Sequence, residues 1–124
     1  MKVSVTGDVP ATPELSPLER AVVAVALAAD GLSTLRDQVA CTEVVSRTYS
    51  GVGFVTKFQV PADAPVAAPK AMPLVVMGRH SQLPDAAEFL LELRGGRLHS
   101  LEAYCYEGMW PGDETGFSLA TKAR

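Results

Sequence analysis

Apolar and polar positions change their spacing partway along this chain. From residue 17 to residue 30 the sequence PLERAVVAVALAAD places apolar residues at helical spacing, which is typical of an amphipathic helix. From Val44 onward apolar residues alternate with polar ones, as they do in a half-buried β-strand. The pattern predicts a chain that begins with helices and continues with strands.

The first helix has a clear start. Ser16 stands at the N-cap, Pro17 at the first helical position and Glu19 three residues after the serine, which is the arrangement of a capping box. Gly31 is suited to the left-handed C-terminal cap. Because apolar residues span a wide arc of this helix, we expect it to pack on more than one side.

A second and shorter helix is predicted to begin at Ser33 or Thr34, either of which can cap it, and to end near Cys41. A hairpin follows, with strands at residues 44–49 and 54–60 joined by a turn at residues 50–53.

Three segments after this hairpin are short or weakly patterned. Residues 61–73, PADAPVAAPKAMP, contain four prolines, so they predict an extended surface loop. Residues 74–77 predict a short buried strand. The tail after Gly112 has one apolar patch at residues 117–120, and no strand is predicted there.

A second hairpin is predicted from the sequence AEFLLELRGGRLHSLEAYCY at residues 87–106. Gly95 and Gly96 suit a type I′ turn, which requires a positive φ at both central positions. The turn pairs Leu93 with Leu98, and a one-residue bulge near His99 and Ser100 then keeps the apolar residues of both strands on one face.

These elements predict an α+β fold in which two N-terminal helices pack on one face of an antiparallel sheet of about five strands. At 124 residues the chain is expected to form one domain. Residues 1–15 lack periodicity and are expected to form a flexible N-terminal arm.

Composition excludes several classes of partner. The net charge is −3 and there is no basic run, so nucleic acid is not expected as a partner. The longest apolar stretch, residues 21–29, is about half the length that crosses a bilayer, so we expect no membrane association and a cytoplasmic location. Cys41 and Cys105 have apolar neighbours and are expected to be buried, reduced thiols.

Two phrases resemble a known group of proteins. GVGFVTKFQVP at residues 51–61 and FLLELRGGRLHSLEAYCYEGMWP at residues 89–111 resemble small bacterial proteins of unassigned function. These share a Gly-x-Gly-Phe strand and a closing Leu-Glu-x-Tyr-x-Tyr strand followed by Trp-Pro. The resemblance spans roughly the last 80 residues and implies an α+β fold without assigning any chemistry.

The closing strand carries the main candidate site. Glu102, Tyr104 and Tyr106 occupy alternate positions and Trp110 follows, so these residues predict a polar-aromatic binding face or a hot spot for a protein partner. Packing of the aromatic residues under the proline-rich loop is the alternative.

Two further residues complete the predicted binding set. His80 is expected on a loop, and Arg47 or Lys57 is expected as a cross-strand ion partner of Glu102. Glu102 beside His80 or His99 could instead act as a general base.

The motifs that usually identify catalytic, metal or cofactor sites are absent from the sequence, so we predict no catalytic residues, no metal and no cofactor. The leading functional hypothesis is a non-enzymatic protein-interaction module, including inhibitor and immunity-type proteins. The alternative is a small-molecule binder or hydrolase-like enzyme with a pocket near Glu102 and Trp110. Homo-oligomerisation is left open.

Overall fold

The computed structural model describes residues 14–30, 35–66 and 74–121. Two α-helices are present in these ranges, α1 (Pro17–Asp30) and α2 (Arg36–Cys41). They precede six β-strands, and a short 3-10 helix (Glu114–Gly116) comes just before the last of them. The strands are β1 (Glu43–Ser50), β2 (Gly53–Gln59), β3 (Leu74–Arg79), β4 (Ala87–Arg94), β5 (Arg97–Tyr104) and β6 (Ser118–Thr121).

The six strands form one antiparallel sheet in the order β1-β2-β5-β4-β3-β6. Helix α1 contacts β3, β4, β6 and the 3-10 helix. Its buried apolar side chains join those of the strands in one core. The predicted α+β class and antiparallel sheet are confirmed. The sheet has one strand more than the sequence predicted, because β6 has only four residues and therefore too few positions to establish an alternation.

The start of α1 is the predicted capping box. The Ser16 N–H donates to Glu19 Oε1 at 2.8 Å, and the Glu19 N–H donates to Ser16 Oγ at 3.1 Å. The helix is less enclosed than its apolar arc predicted, because Ala21, Ala24 and Ala28 are exposed. An alanine side chain has too little apolar surface to require burial on every side.

Helix α2 is shorter than predicted, with Arg36 as its first residue. The predicted caps at Gly31, Ser33 and Thr34 lie outside the described residues. Cys105 is buried as predicted, but the prediction for Cys41 was wrong. Its thiol is exposed on α2, because the apolar neighbours used to predict its burial are adjacent in sequence and need not share its side of a helix.

The β4–β5 hairpin confirms both the predicted turn and the predicted bulge. Gly95 and Gly96 have φ values of 61° and 77°, and Leu93 is opposite Leu98. Glu92, the residue before Leu93 on β4, is opposite Ser100, so His99 is the extra residue. The bulge therefore decides which side chains of β5 face the core.

Other predictions fall partly outside the described residues. The arm predicted for residues 1–15 is described only at its end, where Leu15 is buried and the Glu14 carbonyl oxygen accepts a hydrogen bond from Arg47. Residues 61–66 contain turns and no strand, whereas residues 67–73 are not described. Neither helix in the described ranges has the length and apolar character needed to cross a membrane.

Candidate functional site

The sheet has two chemically different faces, which the cross-strand pairing identifies. Phe54, Ala103 and Phe89 are paired across β2, β5 and β4 and are buried, so we call this side the inner face. Glu102 is opposite Val55 on one side and Leu90 on the other, and it is exposed. Because neighbouring positions along a strand point to opposite sides, Glu102 belongs to the outer face.

Tyr104 and Tyr106 meet next to Glu102 on the outer face, as the sequence predicted. Their ring centroids are 5.4 Å apart with an interplanar angle of 75°. Both hydroxyls donate to Oε1 of Glu88, that of Tyr106 at 2.9 Å. We call these two side chains the tyrosine pair. The Glu88 carboxylate therefore fixes both phenol groups in one arrangement.

The electrostatics of the tyrosine pair follow from this contact. The hydrogen bond to Glu88, together with the hydrogen bond to Tyr106, raises the pKa of the Tyr104 hydroxyl above its ordinary value. The residue that organises the pair, Glu88, was not predicted as part of the site. Counting along the hairpin from Gly95 through the His99 bulge places Glu88 opposite Tyr104, so the signal was present in the sequence.

Trp110 does not join the tyrosine pair. Its ring lies 5.6 Å from Phe54 and 5.9 Å from Phe89, edge to face, and it stacks on Phe117 at 5.1 Å. These contacts place Trp110 at the inner face. The chain leaves β5 and turns at Gly108, whose φ is 84°, before reaching it, so the alternation along the strand does not extend that far.

Glu114 links Trp110 to the edge strand β1. Its Oε2 accepts hydrogen bonds from Trp110 Nε1 at 2.8 Å and from the Tyr49 hydroxyl at 3.0 Å. Burial, followed by the charge and the hydrogen bond of Glu114, raises the pKa of Tyr49. An open cleft of about 390 Å³ lies here. Its lining includes Tyr49, Met109, Trp110, Pro111 and Glu114.

Arg47 is not the ion partner of Glu102. It lies on the inner side, where its Nε donates to Glu19 Oε2 at 2.8 Å and its Nη2 donates to Glu19 Oε1 at 2.6 Å. Thr56 Oγ1 donates to the same carboxylate at 2.6 Å. Burial alone would raise the pKa of Glu19, but the hydrogen bonds from Arg47, Thr56 and Ser16 and the charge of Arg47 lower it. The sequence carries no local signal of this contact, because Glu19 and Arg47 are 28 residues apart.

His80 lies on a loop just after β3, as predicted, but it is buried rather than solvated. The Gln82 N–H donates to His80 Nδ1 at 3.0 Å, so Nε2 carries the proton and donates to the Asp113 carbonyl oxygen at 2.8 Å. The ring also packs against Phe117, at 4.9 Å. Since both ring nitrogens are used, His80 joins the end of β3 to the segment before β6.

Gln38 is a structural residue that sequence analysis missed. It is fully buried on α2, and its side chain donates to the carbonyl oxygens of Gly96 and Pro65 and accepts from the Leu98 N–H. These bonds hold α2 against the turn of the β4–β5 hairpin. A glutamine in a short helix carries no local signal of such a distant contact.

Exposed apolar side chains gather at one end of the sheet. Hydrogen bonds from the Cys105 N–H to the Val52 carbonyl oxygen and from the Trp110 N–H to the Gly51 carbonyl oxygen, both 2.9 Å, join the segment after β5 to the β1–β2 turn. The side chains exposed there, with their exposed fractions, are Tyr49 (42%), Val52 (47%), Tyr106 (59%) and Met109 (74%). We call these four residues the apolar end.

The alternative pocket near Glu102 and Trp110 is not assembled, because these two residues lie on opposite faces of the sheet. Within residues 14–30, 35–66 and 74–121 no group of three or more histidine, cysteine or acidic residues is arranged to hold a metal ion.

Comparisons with protein-family models, with curated proteins and with solved structures find no significant match.

Proposed function

We propose that this chain is a non-enzymatic protein-interaction module, of the inhibitor or immunity type, that binds another protein through the apolar end and the tyrosine pair. The observation that supports the proposal most directly is the presence of four exposed apolar side chains at one end of the sheet. Exposed apolar residues that are grouped rather than scattered are typical of interaction sites.

The tyrosine pair adds an ordered aromatic surface to this region. Tyrosine is enriched at the centres of protein interfaces, and a side chain that is already fixed loses less conformational entropy on binding. Glu88 holds both hydroxyls, while more than half of the Tyr106 side chain remains exposed. The geometry thus supports a preformed contact area.

The negative charge of this chain indicates which kind of surface the partner presents. Exposed carboxylates at Glu102, Glu107 and Asp113 lie beside the apolar end in sequence, and the whole chain has a net charge of −3. Complementary charge speeds encounter and favours correct partners. We therefore propose a partner with a basic surface around an apolar centre.

The setting of this function is also a proposal. Both cysteines are free thiols, as is usual in a reducing compartment, which supports a cytoplasmic location. The resemblance of residues 51–61 and 89–111 to small bacterial proteins supports a bacterial source.

The test is affinity capture from a bacterial lysate with the wild-type chain and matched variants as bait. Tyr106→Ala and Met109→Ala alter the apolar end, whereas Val45→Ala alters an equally exposed apolar residue elsewhere on β1. We expect a protein that binds wild type and Val45→Ala, is lost with both other variants and is released by salt. Absence of any such protein, or equal capture by all four baits, would contradict the proposal.

A further inference from the structure

A groove between the two helices is separate from the surface just described. It has a volume of about 330 Å³, at the lower end of the range for small-molecule sites. It shares no residue with the apolar end or the tyrosine pair. Its apolar lining consists of Ala24, Leu27, Ala28, Val39 and Ala40.

The helical repeat explains the shape of the groove. Ala24 and Ala28 are four residues apart on α1 and therefore lie on the same side of the helix. Their short side chains leave room beside α2, where Val39 and Ala40 form the opposite wall. Leu27 is almost completely buried, so the groove has a fixed apolar base.

Each helix contributes one arginine to the lining, Arg20 from α1 and Arg36 from α2. Both are exposed, and neither side chain forms an ion pair or hydrogen bond within the part of the chain that the structure describes. Arg47 and Arg94, by contrast, each bond a glutamate. Two guanidinium groups that lack a carboxylate partner thus border an apolar groove.

We propose that this groove binds a small anionic amphiphile, namely a free carboxylate with an unbranched apolar chain of the fatty-acid class. The apolar walls would contact the chain, and the arginines would bond the carboxylate, which guanidinium groups recognise with two parallel hydrogen bonds. The charge of the arginines selects an anion over a neutral or cationic amphiphile. This site does not depend on the proposed protein partner.

Isothermal titration of the full chain with decanoate, below its micelle concentration, tests the proposal. We expect saturable binding of one decanoate, with affinity falling about three- to fourfold for each methylene removed from the chain, as burial of methylene groups predicts. Decanol should bind at least about tenfold more weakly, because it cannot form charge-assisted hydrogen bonds. Decyltrimethylammonium should show no saturable binding.

Variants identify the site. The double variant Arg20→Gln/Arg36→Gln should lose about tenfold or more in affinity for decanoate, and Ala24→Leu should weaken binding of decanoate and decanol alike by filling the groove. Arg94→Gln removes an exposed arginine outside the groove and should bind as wild type does. Circular dichroism melts confirm that each variant folds.

Three results would overturn the proposal. These are equal affinity of the double variant and Arg94→Gln, equal affinity for decanol and decanoate, or binding to phosphatidylglycerol vesicles without binding to free decanoate. The last result would indicate a lipid surface as the ligand. None of these measurements involves a protein partner, so their failure is distinguishable from failure of the proposed function.

Discussion

The two faces of the sheet each hold a buried carboxylate, but the surroundings of these carboxylates differ. On the inner face Glu19 accepts hydrogen bonds from a guanidinium, a hydroxyl and a backbone N–H. On the outer face Glu88 accepts hydrogen bonds from two tyrosine hydroxyls. The Glu19 contacts join α1 to β1 and β2, whereas the Glu88 contacts orient side chains that remain partly exposed.

This difference separates a structural role from a binding role. A charge that is completely buried is costly once its partner is lost, so substitutions around Glu19 should mainly lower the free energy of unfolding. Truncation of Tyr104 or Tyr106 removes little packing from the folded protein, because both side chains are only partly buried. Substitutions at these two tyrosines should mainly lower the affinity for a partner.

The largest effect is expected for Glu19→Gln. A glutamine at this position can still close the capping box, but it cannot neutralise Arg47, which would remain buried with an unpaired charge. We expect a loss of about 3–5 kcal/mol in the free energy of unfolding, measured by urea denaturation at pH 7. A loss below about 1 kcal/mol would show that the ion pair does not hold α1 to the sheet.

The matched control is Glu92→Gln, which breaks an exposed ion pair with Arg94 at 3.4 Å and should cost less than about 1 kcal/mol. The pH dependence provides a second control. Because folding lowers the pKa of Glu19, its stabilising contribution is present above the unfolded value of 4.5 and is lost as pH falls through the folded pKa. The Glu19→Gln variant should therefore lose less stability in acid than wild type.

The aromatic residues give the next comparison. Trp110→Ala removes contacts with three phenylalanine rings and the hydrogen bond to Glu114, so it should cost about 3 kcal/mol. Tyr106→Ala removes an exposed ring and should cost about 1 kcal/mol or less. Thermal melts measure both. Equal losses would mean that Tyr106 is as structural as Trp110 and would weaken the proposed binding surface.

The features that the sequence predicted well are local. The capping box of Ser16 and Glu19 depends on residues three positions apart, and the register of the β4–β5 hairpin follows from Gly95, Gly96 and one bulge. In each case the relevant residues are close along the chain, so their spacing determines the geometry.

The missed features depend on tertiary contacts. Gln38 contacts the Gly96 carbonyl oxygen 58 residues away, and Arg47 meets Glu19 from another element. Trp110 moved from the predicted outer surface to the inner face because the chain turns at Gly108. Spacing along a strand is informative only while the strand continues, which explains why Tyr104, the last residue of β5, was placed correctly and Trp110 was not.

A smaller effect is expected for a substitution in the turn of the β4–β5 hairpin, whose register assigns side chains to the two faces of the sheet. Gly95 has a φ of 61°, and a Cβ added there would meet no atom within 4 Å. Gly95→Val should therefore cost about 1–3 kcal/mol through backbone strain alone. Gly95→Asn is the control, because asparagine tolerates this conformation, and it should cost less in urea denaturation. Equal costs would mean that something other than the turn limits stability.

The smallest effect is expected for Tyr104→Phe, which removes one hydroxyl from Glu88 and keeps the ring. We expect a loss of about 1 kcal/mol at pH 7. Folding raises the pKa of Tyr104 above 10.0, so its contribution is complete below pH 10 and is lost as pH rises through the folded pKa. Urea denaturation at pH 8 and at pH 10.5 should therefore show a smaller loss of stability with pH in the variant than in wild type. Tyr49 titrates in both wild type and the variant, so only the contribution of Tyr104 to the pH dependence of stability differs between them. Identical pH dependence would mean that Glu88 does not hold the hydroxyl, and the tyrosine pair would then not be preformed for binding.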